Sequence, residues 1–236
     1  MRVPTDWVER DQVASTQTAI AELVAAGQTE VILYAHHQSG GRGRFGRPWV
    51  SAEGESLTMS IAFGAYFGHP RPWLLGMACA CATAEVLDLN IRWPNDLGLH
   101  GRKLGGILTE LFPDEKGRMM PCVGIGINVG QTSFPEELRD RASSLALEGR
   151  PTPPLDQLAV TIIDRLRQFD DPQEWTDIEP HWMPRDATPG KSYRLPNGDV
   201  AVATHVGPGG ELHCLLDGEP RTVLAADSIF GTSLAS

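Results

Sequence analysis

Residues 40–49 read GGRGRFGRPW, with Arg42, Arg44 and Arg47 spaced among Gly40, Gly41, Gly43 and Gly46. What flanks this stretch restricts the fold. EVILYAHH (30–37) before it has the apolar, β-branched character of a buried strand, and SLTMSIAF (56–63) after it alternates as a second one. Gly41-x-Gly43-x-x-Gly46 spells the dinucleotide-binding fingerprint, but that motif requires a helix to open on its third glycine and an acidic residue about 20 positions on. Here Pro48 and Trp49 follow, and no Asp or Glu occurs between Glu55 and Glu85. A strand–loop–strand unit therefore replaces the strand–turn–helix of a doubly wound nucleotide fold. Glycine allows strained turns and close approach, and arginine offers a planar, permanent cation for phosphate and carboxylate. Such a loop is expected to be pliable when empty and to order around an anion.

Elsewhere helices and strands mix without strict alternation. Residues 16–27 are expected to form a helix with Ile20, Leu23 and Val24 inward and Gly27 closing it. A second helix spans about 72–87, with proline in its first turn. Short strands follow near IRW (91–93) and LGLH (97–100), then longer apolar ones at KLGGILTEL (103–111) and MPCVGIGINV (120–129). LDQLAVTIIDRLRQF (155–169) is an amphipathic helix. After Arg185 short strands are split by Asn197-Gly198, Gly209-Gly210 and Asp217-Gly218, which are favoured hairpin pairs. The expected fold class is α+β: a mixed β-sheet domain flanked by helices over residues 1–185, and a small C-terminal β-barrel over 186–236.

The chain carries 30 acidic and 20 basic residues, a net charge of −10. That balance disfavours general nucleic-acid binding, which depends on neutralising many phosphates. The cations are local, so the anion they serve is expected to be small. The four cysteines (79, 81, 122 and 214) show no disulfide or Cys-x-x-Cys pattern and read as small core residues. No apolar run is long enough to cross a bilayer, and the polar N-terminus lacks the apolar core of a signal peptide, so a cytoplasmic protein is expected. Gly190-Lys191-Ser192 is a chance fragment of a P-loop, because Arg185 stands where the first glycine is required. His-Glu-x-x-His and Gly-x-Ser-x-Gly are both absent from the sequence.

Four polar segments set in apolar frames remain: Ser15-Thr16, Gln38 with the Arg/Gly loop and Trp49, RWPNDLGLHGRKLGGILTE (92–110), and GIGINVG (124–130). Each alone has a plain structural alternative. Ser15 or Thr16 suits a helix N-cap, Asn95-Asp96 a turn, Lys103 a solvated surface, and Asn128 a bend.

Together, in this order, they resemble the biotin protein ligase family. Its Gly-Arg-Gly-Arg-x-Gly-Arg-x-Trp is present as Gly41 to Trp49, its Lys-Trp-Pro-Asn-Asp as Arg92 to Asp96, its Lys-x-x-Gly-Ile-Leu-x-Glu as Lys103 to Glu110, and its Gly-Ile-Asn-Val as Gly126 to Val129. The resemblance implies a class II synthetase-like domain of the biotin/lipoate ligase type with an SH3-like C-terminal barrel. It also implies a two-step reaction. Biotin's carboxylate attacks the α-phosphate of ATP, with Mg²⁺, giving biotinyl-adenylate and pyrophosphate; a lysine of a biotin carboxyl carrier protein domain then takes the biotin. By the same resemblance, Lys103 with Arg42 and Arg44 would be catalytic. Biotin would be bound by Ser15, Thr16, Gln38, Arg42, Gly43, Arg44, Trp49, Lys103 and Gly106. ATP would meet Arg44, Arg47, Asn95, Asp96, Lys103 and Asn128, with Asp96 toward the metal.

Departures from the family pattern are Arg92 in place of lysine, Gln17 in place of asparagine, Ala14 in place of aspartate, and His37 before Gln38. Only about a dozen residues precede Ser15, too few for the helix-turn-helix of some relatives, so the expectation is the monofunctional type without operator binding. Dimerisation through a sheet edge is compatible with the resemblance. The nearest alternative is a lipoate protein ligase, and a more distant one is a non-catalytic nucleotide-binding module.

Overall fold

The computed structural model describes residues 1–51, 53–195 and 198–230. Its centre is a seven-stranded mixed sheet in the order β1-β2-β3-β7-β6-β5-β4. The strands are β1 (Trp7–Val13), β2 (Glu30–Gln38), β3 (Ser56–Phe63), β4 (Asn90–Arg92), β5 (Asp96–Leu99), β6 (Arg102–Pro113) and β7 (Met119–Asn128). β1 and β2 are parallel, and the other pairs are antiparallel.

Strand alternation divides the side chains between two faces. Ile32, Tyr34, Leu57, Met59, Ile61, Val123, Ile125 and Ile127 pack with helices α2 (Trp73–Leu87) and α3 (Leu155–Arg167) in the larger core. Val31, Leu33, Ala35, Met120 and Cys122 pack with Ile20 and Val24 of α1 (Thr16–Ala25) on the other face. α2 is apolar around its whole circumference, and it is buried nearly all round, from Trp73 through Ala84. α3 buries one stripe, Leu158, Ala159, Ile162, Ile163 and Leu166. On the α1 face, β3, β6 and β7 change character. Instead of large apolar residues they present Thr58, Ser60, Gly106, Gly124 and Gly126. Small residues there let Gln17, Trp49 and Lys103 close down on the sheet at Gly124, Gly126 and Gly106.

A second sheet, order β11-β10-β9-β8, is antiparallel throughout and is consistent with a small SH3-like barrel. Its strands are β8 (Ser192–Arg194), β9 (Val200–Val206), β10 (Leu212–Leu216) and β11 (Glu219–Val223), and the helices α4 (Glu179–Trp182) and α5 (Ala225–Phe230) flank it in sequence. Asp217 and Gly218 both have positive φ, 51° and 84°, as a type I′ hairpin turn requires. The Gly209-Gly210 turn is also present, whereas Asn197 lies outside the described residues. Ala201, Ala203, Val206 and Leu212 of this sheet belong to the same core as α2 and α3.

Two elements were not expected. Over β1 the sequence shows only a polar N-terminus; the segment is an edge strand whose seven residues are all exposed or half-buried, so it shows no alternation. α5 closes the described chain where only hairpins were anticipated. The four cysteines are free and buried, and among the described residues no helix is long and apolar enough to cross a membrane.

Candidate active site

The Arg/Gly stretch is a tight hairpin. Trp49 N donates to Gly41 O at 2.8 Å and Gly43 N to Arg47 O at 2.7 Å, and Arg42 bridges to Pro48. The tip is Arg44–Gly46, where φ is 57° at Phe45 and 68° at Gly46. Glycine accepts that geometry without penalty, whereas a phenylalanine there is strained. The hairpin places its three arginines differently. Arg42 Nη1 pairs with Glu110 Oε1 at 3.2 Å. Arg44 turns inward and donates to Ser228 O and Oγ at 2.7 and 2.8 Å. Arg47 is exposed at the tip.

Below the hairpin lies the glycine floor. Asp96, Gly106, Gly126 and Thr58 are abreast across β5, β6, β7 and β3. The Trp49 indole lies on Gly126, so close that an added Cβ would stand 2.9 Å from its Cε2. Gly106 similarly makes room for the end of the Lys103 side chain, whose Nζ would be 3.2 Å from a Cβ. Lys103 Nζ is 5.9 Å from the Trp49 ring centroid and 2.6 Å from Asp96 Oδ1. Arg92 Nη2 reaches Asp96 Oδ2 at 2.9 Å. Burial works to raise the Asp96 pKa, but Lys103, with Arg92 and Arg44, outweighs it and holds the carboxyl below its ordinary value. Burial in turn lowers the Arg44 pKa, with Asp96 opposing it.

Beside this cluster are further buried polar groups. Gln38 Oε1 accepts from Thr16 N at 2.7 Å. Ser15 occupies the N-cap position of α1, yet its hydroxyl makes no capping bond. Its side chain is thus not spent on the helix, against the plain alternative. Gln17 Nε2 donates to Leu108 O at 2.7 Å, while its Oε1 is buried without a partner. Trp49 Nε1, Arg42 Nε, Glu110 Oε2 and Asn95 Oδ1 are also buried and unpartnered. Unpaired buried polar atoms are costly, and here several lie around the glycine floor that Trp49 and Gln17 cover. Unmet donors and acceptors of this kind suit a ligand that carries both. Asn95 Nδ2 donates to Ile107 O at 2.6 Å, tying the turn after cis Trp93-Pro94 to β6. Asn128 bonds to neighbours other than the cations: its Nδ2 donates to Ser143 O at 3.0 Å, and its Oδ1 accepts from Gln131.

The structure therefore brings together Arg44, Trp49, Asp96, Lys103 and Gly106, and it joins Thr16 to Gln38. The sequence assigns no role to Glu110, Ser228, Tyr193 or Gln131. Glu110 ends the Lys103–Glu110 motif, and an acidic residue two positions beyond Leu108 on the small-residue face is its signal in the sequence. For Asp96, both oxygens already meet cations. Among the described residues no three His, Cys, Asp or Glu side chains cluster to hold a metal.

The model of the biotin/lipoate A/B protein ligase family matches residues 10–128, half of the chain. The chain belongs to this family. The match includes every candidate residue from Ser15 to Asn128 and stops before the second sheet. Among biotin/lipoate ligase relatives, the Biotin--[acetyl-CoA-carboxylase] ligase of Mycobacterium tuberculosis is 28% identical across 94% of this chain and 89% of its own length. The Bifunctional ligase/repressor BirA of Bacillus spizizenii is 35% identical across 59% of this chain, but only 46% of its own length, so the chain matches about half of that relative. The R40G mutant of the Aquifex aeolicus biotin protein ligase, solved in complex with biotin, is 25% identical with a TM-score of 0.74, and the match covers 93% of this chain and 95% of that one. The same ligase in complex with biotin and ATP gives a TM-score of 0.71 at 24% identity, covering 93% and 96%.

Proposed function

We propose that this chain is an ATP-dependent biotin protein ligase of the monofunctional type. It activates biotin as biotinyl-5′-AMP, releases pyrophosphate, and transfers the biotin to a lysine of a biotin carboxyl carrier protein domain. The observation that carries the reading is Lys103 lying over the Gly106–Gly126 floor between Trp49 and Asp96, with Arg44 alongside. An anionic carboxylate has to approach an anionic phosphate. Two unit charges 4 Å apart repel by about 1 kcal/mol in water and about 4 kcal/mol at an effective dielectric near 20. A dry slot makes the encounter worse unless fixed cations line it.

In this reading Lys103 exchanges Asp96 for the substrate carboxylate, while Arg44, its Nη1 kept on Ser228, turns its other N–H donors to the α-phosphate. Arg42, held by Glu110, and Gly43 shape the wall over biotin. Ser15, Thr16 and Gln38, with the free Gln17 oxygen, meet the ureido group, whose two N–H donors and one carbonyl complement such groups. Trp49 covers the apolar ring. Asn95 and Asp96 serve the nucleotide side, Asn128 the adenine, and exposed Arg47 the outer phosphates. Magnesium is expected to arrive on the phosphates of ATP, since such ions are commonly bound through substrate phosphates rather than a protein cage. The hairpin shields the anhydride from water until the carrier lysine arrives.

We take residues 1–185 as the catalytic unit and 186–236 as the appended one. We also infer a cytoplasmic enzyme without operator-binding activity and with a sheet edge free to pair copies. The test supplies biotin or lipoate with ATP and follows pyrophosphate, then adds a carrier domain and weighs it. Biotin-dependent pyrophosphate and a carrier heavier by one biotin are expected. A response to lipoate alone would reassign the substrate, and nucleotide binding without pyrophosphate would leave only a binding module.

A further inference from the structure

The inward arginine of the hairpin is held by the other end of the chain. Arg44 Nη1 donates to both Ser228 O and Ser228 Oγ, at 2.7 and 2.8 Å, and the Tyr193 hydroxyl lies 2.6 Å from the same Oγ. Ser228 is 1% exposed. The Tyr193 ring meets Trp93 edge-on at 5.3 Å, and Trp93 Nε1 donates to Gly210 O at 2.9 Å. Trp93 leads directly into Pro94, Asn95 and Asp96. The C-terminal part of the chain thus grips the Arg/Gly hairpin through Ser228 and the Asp96 turn through Trp93.

Charge-assisted bonds to a buried guanidinium are stronger than neutral ones. The neighbouring Phe45 also points to an anchor. It is in the left-handed region at φ 57° and is 66% exposed, and its ring sits in no core but lies 5.5 Å from the Arg44 Cζ. Strain of this kind persists where surrounding contacts over-determine the backbone, and the Arg44 bonds lie one residue away.

We propose that Ser228 and Tyr193 are positioning residues that form a latch, fixing Arg44 and with it the hairpin over Lys103 and Asp96. Releasing the latch lets the hairpin open while the catalytic groups stay intact. The consequence for the chemistry rests on the function proposed above: a loosened cover lets the reactive adenylate meet water, so pyrophosphate is produced without carrier modification.

The test uses the full chain with Tyr193→Phe, which keeps the ring against Trp93 and removes only the hydroxyl, and Ser228→Ala. Brief trypsin digestion reads cleavage after Arg42 and Arg44, independently of activity. A rise of roughly two- to tenfold is expected in each variant, the scale of one lost hydrogen bond. The second readout is the ratio of pyrophosphate released to carrier biotinylated, expected to rise several-fold over wild type. General destabilisation would lower both products together and leave that ratio unmoved. Wild-type cleavage rates in both variants, or an unchanged ratio in an active enzyme, would overturn the latch. Should the wild type release no biotin-dependent pyrophosphate, the ligase reading fails, and proteolysis alone then decides the latch.

Discussion

At the scale of single residues, the site is a balance of charges. Lys103 and Arg92 bind opposite oxygens of Asp96, and Arg44 adds to the same field. The Asp96 pKa is lowered from its ordinary 3.8. A depressed folded-state pKa contributes stability above the unfolded value and loses it as pH falls through the folded one. Asp96→Asn should therefore lower the melting temperature at pH 7, with the gap from wild type closing as pH falls below about 4. Melts at a series of pH values read this; a gap that widens in acid would contradict the assignment. Gly126→Ala sets a Cβ 2.9 Å from Trp49 Cε2 and 3.0 Å from its Cζ2. We expect a displaced indole, a KM for the acid substrate raised about tenfold or more, and a stability loss on the order of 1–3 kcal/mol from overpacking. Unchanged KM would remove Trp49 from the binding wall.

Among the elements, β6 and β7 matter most because their two faces do different work. Ile107, Thr109, Val123 and Ile125 are buried toward α2, while Gly106, Gly124 and Gly126 open the α1 side. Gly76 is where α2 comes down on β6: an added Cβ would collide with Thr109 Oγ1. Gly76→Ala should cost about 1–3 kcal/mol or more, read as a lower denaturation midpoint, although alanine favours helix. A stabilised variant would mean that α2 does not pack as described. Much of this frame was legible in the sequence. A continuous apolar, β-branched run marked β2, period-two alternation marked β3, and apolar runs marked β6 and β7. The Arg/Gly hairpin and Lys103 stood out because such residues are unusual between buried strands. β1 was not legible, since an edge strand with Glu9, Arg10 and Asp11 pairs only through the remote β2 backbone. The partners of the cations were equally hidden. Arg44 meets Ser228 across 184 positions and Arg42 meets Glu110 across β6, and no local pattern encodes such encounters.

Over the whole molecule, the second sheet completes the first. Gly210 fits against Trp73 and Trp175, Trp93 donates to its carbonyl, and Thr188 receives the Trp93 amide hydrogen. Each large apolar side chain returned to water forfeits about 1.5–3 kcal/mol, and a domain has roughly 5–15 kcal/mol in all. A chain ending at residue 185 should therefore lose its near-ultraviolet circular dichroism and its cooperative melt. A sharp native-like melt would show the first unit to be self-sufficient. The central claim is that fixed cations beside a glycine floor bring two like-charged reactants together. Single-turnover formation of biotinyl-adenylate by Lys103→Ala, beside wild type, tests it most directly. A loss of about 10²–10³ in rate with an intact far-ultraviolet spectrum is expected, the scale of one preorganised electrostatic group; a rate equal to wild type would contradict it.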